Sequence, residues 1–321
     1  MRDSYGRKID YLRVSVTDRC NLRCRYCMPE GSEWIPMEEI MTFEEITRLC
    51  REAAALGITK YKITGGEPLV RRGCPALVRM IREIPGVQQV TMTSNGILLE
   101  RYLTELLDAG LSAVNVSLDT TDREKYREIT GFDELPQVLR SIRAASGAGL
   151  RVKINAVLQE GLNAGAWEGL LHFTEEGLAD IRFIELMPIG RGTDGHMVSN
   201  EELFRKIEAR YGPLVRDGAF HGNGPAVYYR VADWPRSVGF ISAIHGKFCG
   251  HCNRLRLSST GQLKPCLCYE DSLDVRGALR GGSDAGVRDI LKKAIQGKPR
   301  MHCFEDTGAV TERQEMAKIG G

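Results

Sequence analysis

The sequence predicts an α/β protein: a parallel sheet with helices packed outside it. Two observations carry that expectation. Six short β-branched or aliphatic runs alternate with segments of helical periodicity, and the turn residues of the first half follow strands. The strand-like runs are Tyr11–Val16, Lys60–Thr64, Val87–Ser94, Ala113–Leu118, Val152–Val157 and Ile181–Leu186. Gly65-Gly66-Glu67-Pro68 follows the second, Asn95-Gly96 the third and Asp119 the fourth. In a parallel barrel, functional groups gather at the carboxyl ends of strands, so these turns are candidate site segments.

The helices fall between the strands. The first opens at Thr42-Phe-Glu-Glu45, a capping box in which hydroxyl and carboxylate each satisfy a free amide of the first turn. Others are expected near Pro75–Ile84, Leu98–Ala109, Pro136–Ser146 and Trp167–Glu176. A second capping box, Ser199-Asn-Glu-Glu202, starts a helix that ends near Tyr211-Gly-Pro213. The Gly- and Pro-bearing stretch from 212 to 225 is the expected boundary, dividing the chain into 1–220 and 221–321. Beyond it, Tyr228–Val231, Val238–Ile244 and Leu255–Ser258 read as short strands, with a turn at Ser259-Thr-Gly261.

Composition narrows the function. The 321 residues are 42% hydrophobic and 27% charged, with a formal net charge of +2. No general affinity for nucleic acid or membrane follows from that balance, so an anionic ligand needs a local cluster of bases. The first residues lack the apolar stretch of a secretory signal, and no run is long enough to span a bilayer. Ten cysteines in such a chain point to the reducing cytoplasm, where clustered thiols bind metal or do chemistry.

Six of the ten form two triplets, Cys20/Cys24/Cys27 and Cys249/Cys252/Cys266. A closed tetrahedral site needs four ligands, so each triplet is one short. An iron–sulfur cluster held by three cysteines keeps one iron for something that is not protein. The first triplet has no histidine near it in the sequence, which disfavours structural zinc. The second is more open to that reading, because His245, His251, Cys268 or Cys303 could supply a fourth ligand. Cys50 and Cys74 lie in helical segments and read as core. Bases recur within the apolar strands: Lys60 and Lys62 share one face, and Arg13, Lys153 and Arg182 lie on others. With helices covering the outside, these bases point into a polar lumen able to clamp phosphates.

Cys20-x-x-x-Cys24-x-x-Cys27 with Tyr26, together with Gly65-Gly66-Glu67-Pro68 after the second strand, resembles the radical S-adenosylmethionine superfamily. Phe248-Cys-Gly-His-Cys-Asn-Arg-Leu-Arg256, Pro265-Cys266 and the terminal Gly320-Gly321 narrow the resemblance to the GTP 3′,8-cyclase family of molybdenum cofactor biosynthesis. The resemblance implies a partial TIM-like (β/α)6 barrel whose C-terminal extension carries a second iron–sulfur cluster. It implies two [4Fe–4S] clusters, on Cys20, Cys24 and Cys27 and on Cys249, Cys252 and Cys266, with Cys266 preferred over Cys268. Tyr26, Gly66, Ser117 and Met187 would contact S-adenosylmethionine. Arg13, Lys62, Thr93, Lys153, Arg254, Leu255 and Arg256 would contact GTP, joined by Lys60 and Arg182. The tail residues Gly320 and Gly321 would reach the active site. Expected partners are GTP, a low-potential donor of flavodoxin or ferredoxin type, and cyclic pyranopterin monophosphate synthase as recipient of the product; a homodimer is compatible. The rival readings are a radical enzyme acting on a peptide or tetrapyrrole, and a non-catalytic iron–sulfur or zinc regulator.

Overall fold

Strands from both halves of the chain join a single sheet in the computed structural model, which describes residues 1–28, 34–194 and 197–320. The first six strands are β1 (Tyr11–Ser15), β2 (Lys60–Thr64), β3 (Gln89–Ser94), β4 (Ala113–Ser117), β5 (Arg151–Ala156) and β6 (Asp180–Ile184). They lie side by side in chain order, each parallel to the next. The later strands are β7 (Leu214–Arg216), β8 (Val227–Val231), β9 (Val238–Ile241), β10 (Arg254–Leu257), β11 (Gln262–Lys264) and β12 (Leu273–Asp274). β9 joins β6 and β10 joins β1, both in parallel, so the C-terminal residues extend the sheet at both edges. The remaining short strands turn antiparallel, and the ends of the order, β12 and β7, do not meet. The barrel is open.

The helices are α1 (Phe43–Ala55), α2 (Cys74–Arg82), α3 (Leu99–Asp108), α4 (Arg123–Thr130), α5 (Leu135–Gly147), α6 (Trp167–Glu175), α7 (Asn200–Tyr211), α8 (Arg276–Arg280) and α9 (Asp284–Gln296). The capping box of α1 is complete: Glu45 N–H donates to Thr42 Oγ1 at 3.1 Å and Thr42 N–H donates to Glu45 Oε2 at 2.8 Å. At α7, Ser199 accepts from Glu202 N–H, but the Glu202 carboxylate turns to Lys206 at 2.6 Å. Three helices go beyond the sequence reading. α4 is mostly charged and buries only Tyr126, Ile129 and Thr130, so few apolar residues mark it in the sequence. α8 is a five-residue helix. For α9 the signal was present, since Val287, Leu291, Ala294 and Ile295 fall on one face.

Alternate strand residues divide the sheet's two sides. Leu12, Val14, Tyr61, Ile63, Val90, Met92, Val114, Val116, Ile154 and Ile181 are fully buried in one core with Ile46, Leu49, Leu77 and Val138 of the helices. The intervening positions, Arg13, Lys62, Thr93, Asn115, Lys153 and Arg182, line the opposite, polar side. No helix among the described residues is long and apolar enough to cross a membrane.

Candidate functional site

The first thiol triplet sits where β1 leaves the sheet. Val16 N–H donates to Thr64 O at 2.9 Å, so the loop departs beside the end of β2. Cys27 and Met28 N–H both donate to Cys24 O, at 3.0 and 2.9 Å, a tight turn that gathers two of the three thiols. Cys20 Sγ accepts from Leu22 N–H at 3.4 Å and from Asn95 Nδ2 at 3.8 Å. All three thiols are unbridged and half-buried. Burial pushes each thiol's pKa up, that of Cys27 to about 12, and Cys24 is raised further by Cys27, Asp119 and Cys20. The sulfurs therefore share one site in which three thiolates would repel one another. Iron ligation reverses that preference, since a metal holds sulfur as thiolate. The donor set fits an iron–sulfur cluster.

The glycine pair has a physical reason in this loop. A Cβ on Gly65 would lie 2.6 Å from Thr17 O, and one on Gly66 would lie 2.7 Å from Asp18 O. Gly66 N–H donates to Thr17 O and Glu67 N–H to Arg19 O, both at 2.8 Å. The close approach is thus to the backbone that leads into Cys20. Glu67, fully buried, accepts from Leu69 N–H at 3.1 Å, Ser94 Oγ at 3.0 Å and Asn95 N–H at 2.6 Å. Burial lifts its pKa to about 7 against those bonds. Tyr26 donates to Asp119 Oδ2 at 2.6 Å, and Asp119 Oδ1 accepts from Val157 N–H at 2.9 Å. One carboxylate thereby ties the cysteine loop to the ends of β4 and β5, and burial raises it to about 6. Ser117 is exposed at the end of β4. Met187 follows β6 and packs beside Ile189.

The polar side of the sheet collects cations. Register places Arg13 opposite both Lys62 and Arg256, Thr93 opposite Asn115, and Asn115 opposite Lys153. Lys62, Lys153, Arg182 and Arg256 are each less than one-tenth exposed. Burial depresses the Lys62 pKa well below its usual value, and Arg182, Arg13, Lys153 and Arg254 depress it further. Burial, Arg13 and Arg254 do the same to Arg256. Such a cluster opposes itself unless polyanionic charge enters it. Among the described residues, Thr93 Oγ1, Asn155 Oδ1, Arg182 Nε and Arg254 Nε are buried without hydrogen-bond partners, so this surface has polar groups that a bound ligand could satisfy. Lys60 is not brought into this cluster: its ammonium lies 2.9 Å from Asp10 Oδ2.

The segment expected to be a linker crosses the amino-terminal end of this lumen. Asn223 Nδ2 donates to Gln89 Oε1 on β3 at 2.6 Å, and His221 Nδ1 lies 3.3 Å from Asp180 Oδ2 on β6. Lys153 donates to His221 O and, at 2.9 Å, to Tyr228 Oη, whose ring stacks on His221 at 4.0 Å. His221, Asp180 and Tyr228 carry no motif, so nothing in the sequence singled them out.

The second triplet lies at the other end of the parallel pair β1–β10. Cys20 follows β1, whereas Cys252 precedes β10, so two parallel strands separate the triplets. A strand of five residues spans roughly 16 Å. β11 runs back antiparallel and delivers Cys266 to the end occupied by Cys252. Cys252 N–H donates to Cys249 O at 3.1 Å, and His302 N–H donates to Cys249 Sγ at 3.3 Å. Burial raises the Cys252 thiol, but Arg254 and Lys298 outweigh it and bring it down to about 7. Lys298 also donates to Arg254 O at 2.9 Å and Pro265 O at 2.6 Å, clamping β10 to the Cys266 loop. Of the alternative ligands, His245 Nδ1 lies 2.9 Å from Glu185 Oε1, His251 is exposed, and Cys268 faces Cys303. Leu255, between Arg254 and Arg256, is fully buried in the main core. The tail enters between the strand ends: Gly320 O accepts from Arg256 Nη1 at 3.0 Å. At φ +77°, a Cβ there would meet Ser15 Cβ at 3.2 Å. Gly321 lies outside the described residues.

Residues 14–174 match the model of the Radical SAM superfamily, and residues 179–304 match that of Molybdenum Cofactor Synthesis C. The GTP 3′,8-cyclase of Clostridium perfringens is 41% identical over 323 residues, covering all of both chains. That of Pelotomaculum thermopropionicum is 44% identical over 330 residues, again covering all of both. GTP 3′,8-cyclase 1 of Pseudomonas aeruginosa is 43% identical over 326 residues, covering 99% of this chain and 98% of its own. In fold, the chain is similar to Streptococcus suis SuiB bound to S-adenosylmethionine, with a TM-score of 0.64 at 16% identity, over 97% of this chain and 78% of that one. It is also similar to anSMEcpe with bound AdoMet, with a TM-score of 0.61 at 15% identity, over 90% and 81%. A sulfur-only triplet braced by a glycine pair at one end of a cationic lumen is the setting radical chemistry on an anionic substrate requires, and the chain belongs to the radical S-adenosylmethionine superfamily and, over its whole length, to the GTP 3′,8-cyclase family.

Proposed function

We propose that this chain converts GTP to (8S)-3′,8-cyclo-7,8-dihydroguanosine 5′-triphosphate, the first step of molybdenum cofactor biosynthesis. The observation that carries the reading is the buried row of cations set between two thiol triplets. Cys20, Cys24 and Cys27 would hold a [4Fe–4S] cluster, and Cys249, Cys252 and Cys266 a second one. When bound, the first cluster and S-adenosylmethionine would supply a 5′-deoxyadenosyl radical to take hydrogen from C3′ of the ribose; C3′ would then add to guanine C8, and one further electron and a proton would give the closed-shell cyclised nucleotide. The protein's part is placement. Tyr26, Gly66, Ser117 and Met187 frame the S-adenosylmethionine end. Arg13, Lys62, Thr93, Lys153 and Arg182 hold the nucleotide's phosphates and sugar, while Arg254, Arg256 and the backbone of Leu255, whose side chain lies in the core, serve its base. Fixing both ends of the nucleotide sets the C3′-to-C8 geometry, where positioning yields most of the gain. Gly320 on Arg256 and the 217–225 segment close the lumen against water, which protects a radical.

Residues 1–220 act as the radical-generating barrel and also supply the phosphate-holding bases, while 221–321 carry the second triplet and complete the substrate site. A low-potential donor of flavodoxin or ferredoxin type supplies the electron, and cyclic pyranopterin monophosphate synthase takes the product. A homodimer is compatible with this reading and is read out by sedimentation. The test is anaerobic: reconstitute the protein, count iron, add dithionite and S-adenosylmethionine, and compare GTP with peptide and tetrapyrrole substrates. Formation of the cyclised nucleotide from GTP is expected. Cleavage of S-adenosylmethionine without it would overturn the substrate, and no 5′-deoxyadenosine at all would overturn the enzyme.

Three further outcomes follow from the geometry. Gly66→Ala forces a Cβ against the backbone at Asp18–Arg19, an overpacking cost of about 1–3 kcal/mol that displaces the loop into Cys20. Reduced iron loading and at least tenfold slower S-adenosylmethionine cleavage are expected; unchanged loading would contradict the bracing role. Lys62→Met removes a buried basic group from a self-repelling cluster, so the ligand-free protein should melt at a higher temperature while GTP affinity falls about 10–100-fold. Calorimetry and a thermal melt give both readings.

Lys153 gives a pH signature. Burial, then Arg182, depress its ammonium to about 7 against the opposing pull of Asp180. At pH 8 it is mostly neutral, and a triphosphate favours the charged form. GTP binding at pH 8 should therefore take up protons, visible as a buffer-dependent binding enthalpy that Lys153→Met reduces; Lys62, also depressed by burial, accounts for uptake that remains. The unfolded chain binds this proton between about pH 7 and the ordinary lysine range, so this residue's contribution to ligand-free stability rises with pH across that window.

A further inference from the structure

Two thiols are left over once the triplets and the core cysteines Cys50 and Cys74 are set aside. Cys268 Sγ and Cys303 Sγ stand 3.1 Å apart although 35 residues separate them in sequence. Their segments are laced together: Cys303 N–H donates to Cys268 Sγ at 3.4 Å and Glu312 N–H donates to Cys268 O at 3.2 Å. Both belong to a small apolar cluster with Ile189, Leu267, Phe304, Val310 and Ile319, separate from the main core. Cys268 is fully buried, whereas Cys303 is half-buried, its thiol directed to Ala309 O at 3.1 Å.

The geometry points to Cys268 and Cys303 as a thiol–disulfide exchange pair, a modification site oxidised by small-molecule disulfides and reduced by dithiols. A disulfide has its sulfurs about 2.05 Å apart, so the pair needs to close by only about 1 Å. The exposure difference assigns the roles. The Cys303 thiolate attacks the external disulfide, forming a mixed disulfide and releasing one thiol. The Cys268 sulfur, 3.1 Å away, then attacks the Cys303 sulfur, its proton passing to the departing thiolate as the second thiol is released. Two protein thiols are oxidised, one external disulfide is reduced to two thiols, and the protons pass to solvent or the leaving thiolates.

The bridge spans the second triplet. Cys268 lies two residues beyond Cys266, and Cys303 adjoins His302, whose N–H rests on Cys249 Sγ. Oxidation therefore staples the two walls around these thiols together, and reduction frees them. The exchange does not depend on what the second triplet binds.

The test uses the anaerobically reconstituted full-length enzyme, treated with glutathione disulfide, alkylated and digested without reduction. A peptide pair joined through Cys268 and Cys303 is expected, two hydrogens lighter than its parts and lost on adding dithiothreitol. Cys268→Ser should instead accumulate glutathione on Cys303, and Cys303→Ser should take up none at either position. Absence of the joined pair from the folded wild type would overturn the proposal. So would loss of about half the iron from Cys303→Ser at an unchanged melting temperature, which would make Cys303 a cluster ligand. A joined pair in an enzyme that forms no cyclised nucleotide would leave this site standing and refute the cyclase reading alone.

Discussion

Cys24→Ser is expected to reduce 5′-deoxyadenosine formation by at least about 10³-fold, equivalent to roughly 4 kcal/mol of barrier. Cys24 stands at the closed turn of the first loop, its carbonyl taking the N–H of both Cys27 and Met28. Its neighbours cannot replace it. Tyr26 is held by Asp119, and Glu67 spends its oxygens on Leu69, Ser94 and Asn95. Serine keeps the turn, so the melting temperature of the protein without iron should move little. Iron content should fall to roughly half, with the second triplet still loaded. A variant that keeps full iron and cleaves S-adenosylmethionine at the wild-type rate would contradict the assignment of the first triplet.

The repeating part of the fold was legible because each of its units carries its own signal. Each of β1 to β6 is a short run rich in β-branched or aliphatic residues, and the capping residues of α1 are where the chain needs them. Cysteine spacing and the glycine pair announce the first site for the same reason, since metal ligation and close backbone approach demand particular residue types. The glycines' actual partner was not legible. It is the backbone of Thr17–Arg19, from a segment more than forty residues earlier, and only the folded sheet brings the two together. Asp119 was marked by its place after the fourth strand, but its tie to Tyr26 was not, and Lys298 and Asp180 act through contacts between distant elements and sit in no motif. The stretch from 212 to 225 misled in the opposite sense. Its glycines and prolines read as a linker, yet the stretch lets His221 and Asn223 lie across the lumen against β3, β5 and β6. Lys60 shares its face with Lys62 as expected, but one pleat nearer the strand's start Asp10 is within reach and neutralises it.

Cys252→Ser should separate the two triplets' duties. Radical generation depends on the first loop, so S-adenosylmethionine cleavage continues in this variant, uncoupled from product. Cyclised nucleotide should fall at least about 100-fold, near 3 kcal/mol of positioning lost. The cause is local. Arg254 and Lys298 draw the Cys252 thiol down to about 7, so it is readily held as thiolate. A serine hydroxyl gains no such advantage from those cations, and both are left without the anion they face. Rescue by another ligand is blocked by existing partners: His245 lies on Glu185, and Cys268 and Cys303 face each other. Iron should therefore drop to roughly half, as in Cys24→Ser, but with the opposite activity pattern. If Cys252→Ser still cyclises GTP at the wild-type rate, the second triplet is not where the nucleotide is held, and the cationic row must orient GTP without it.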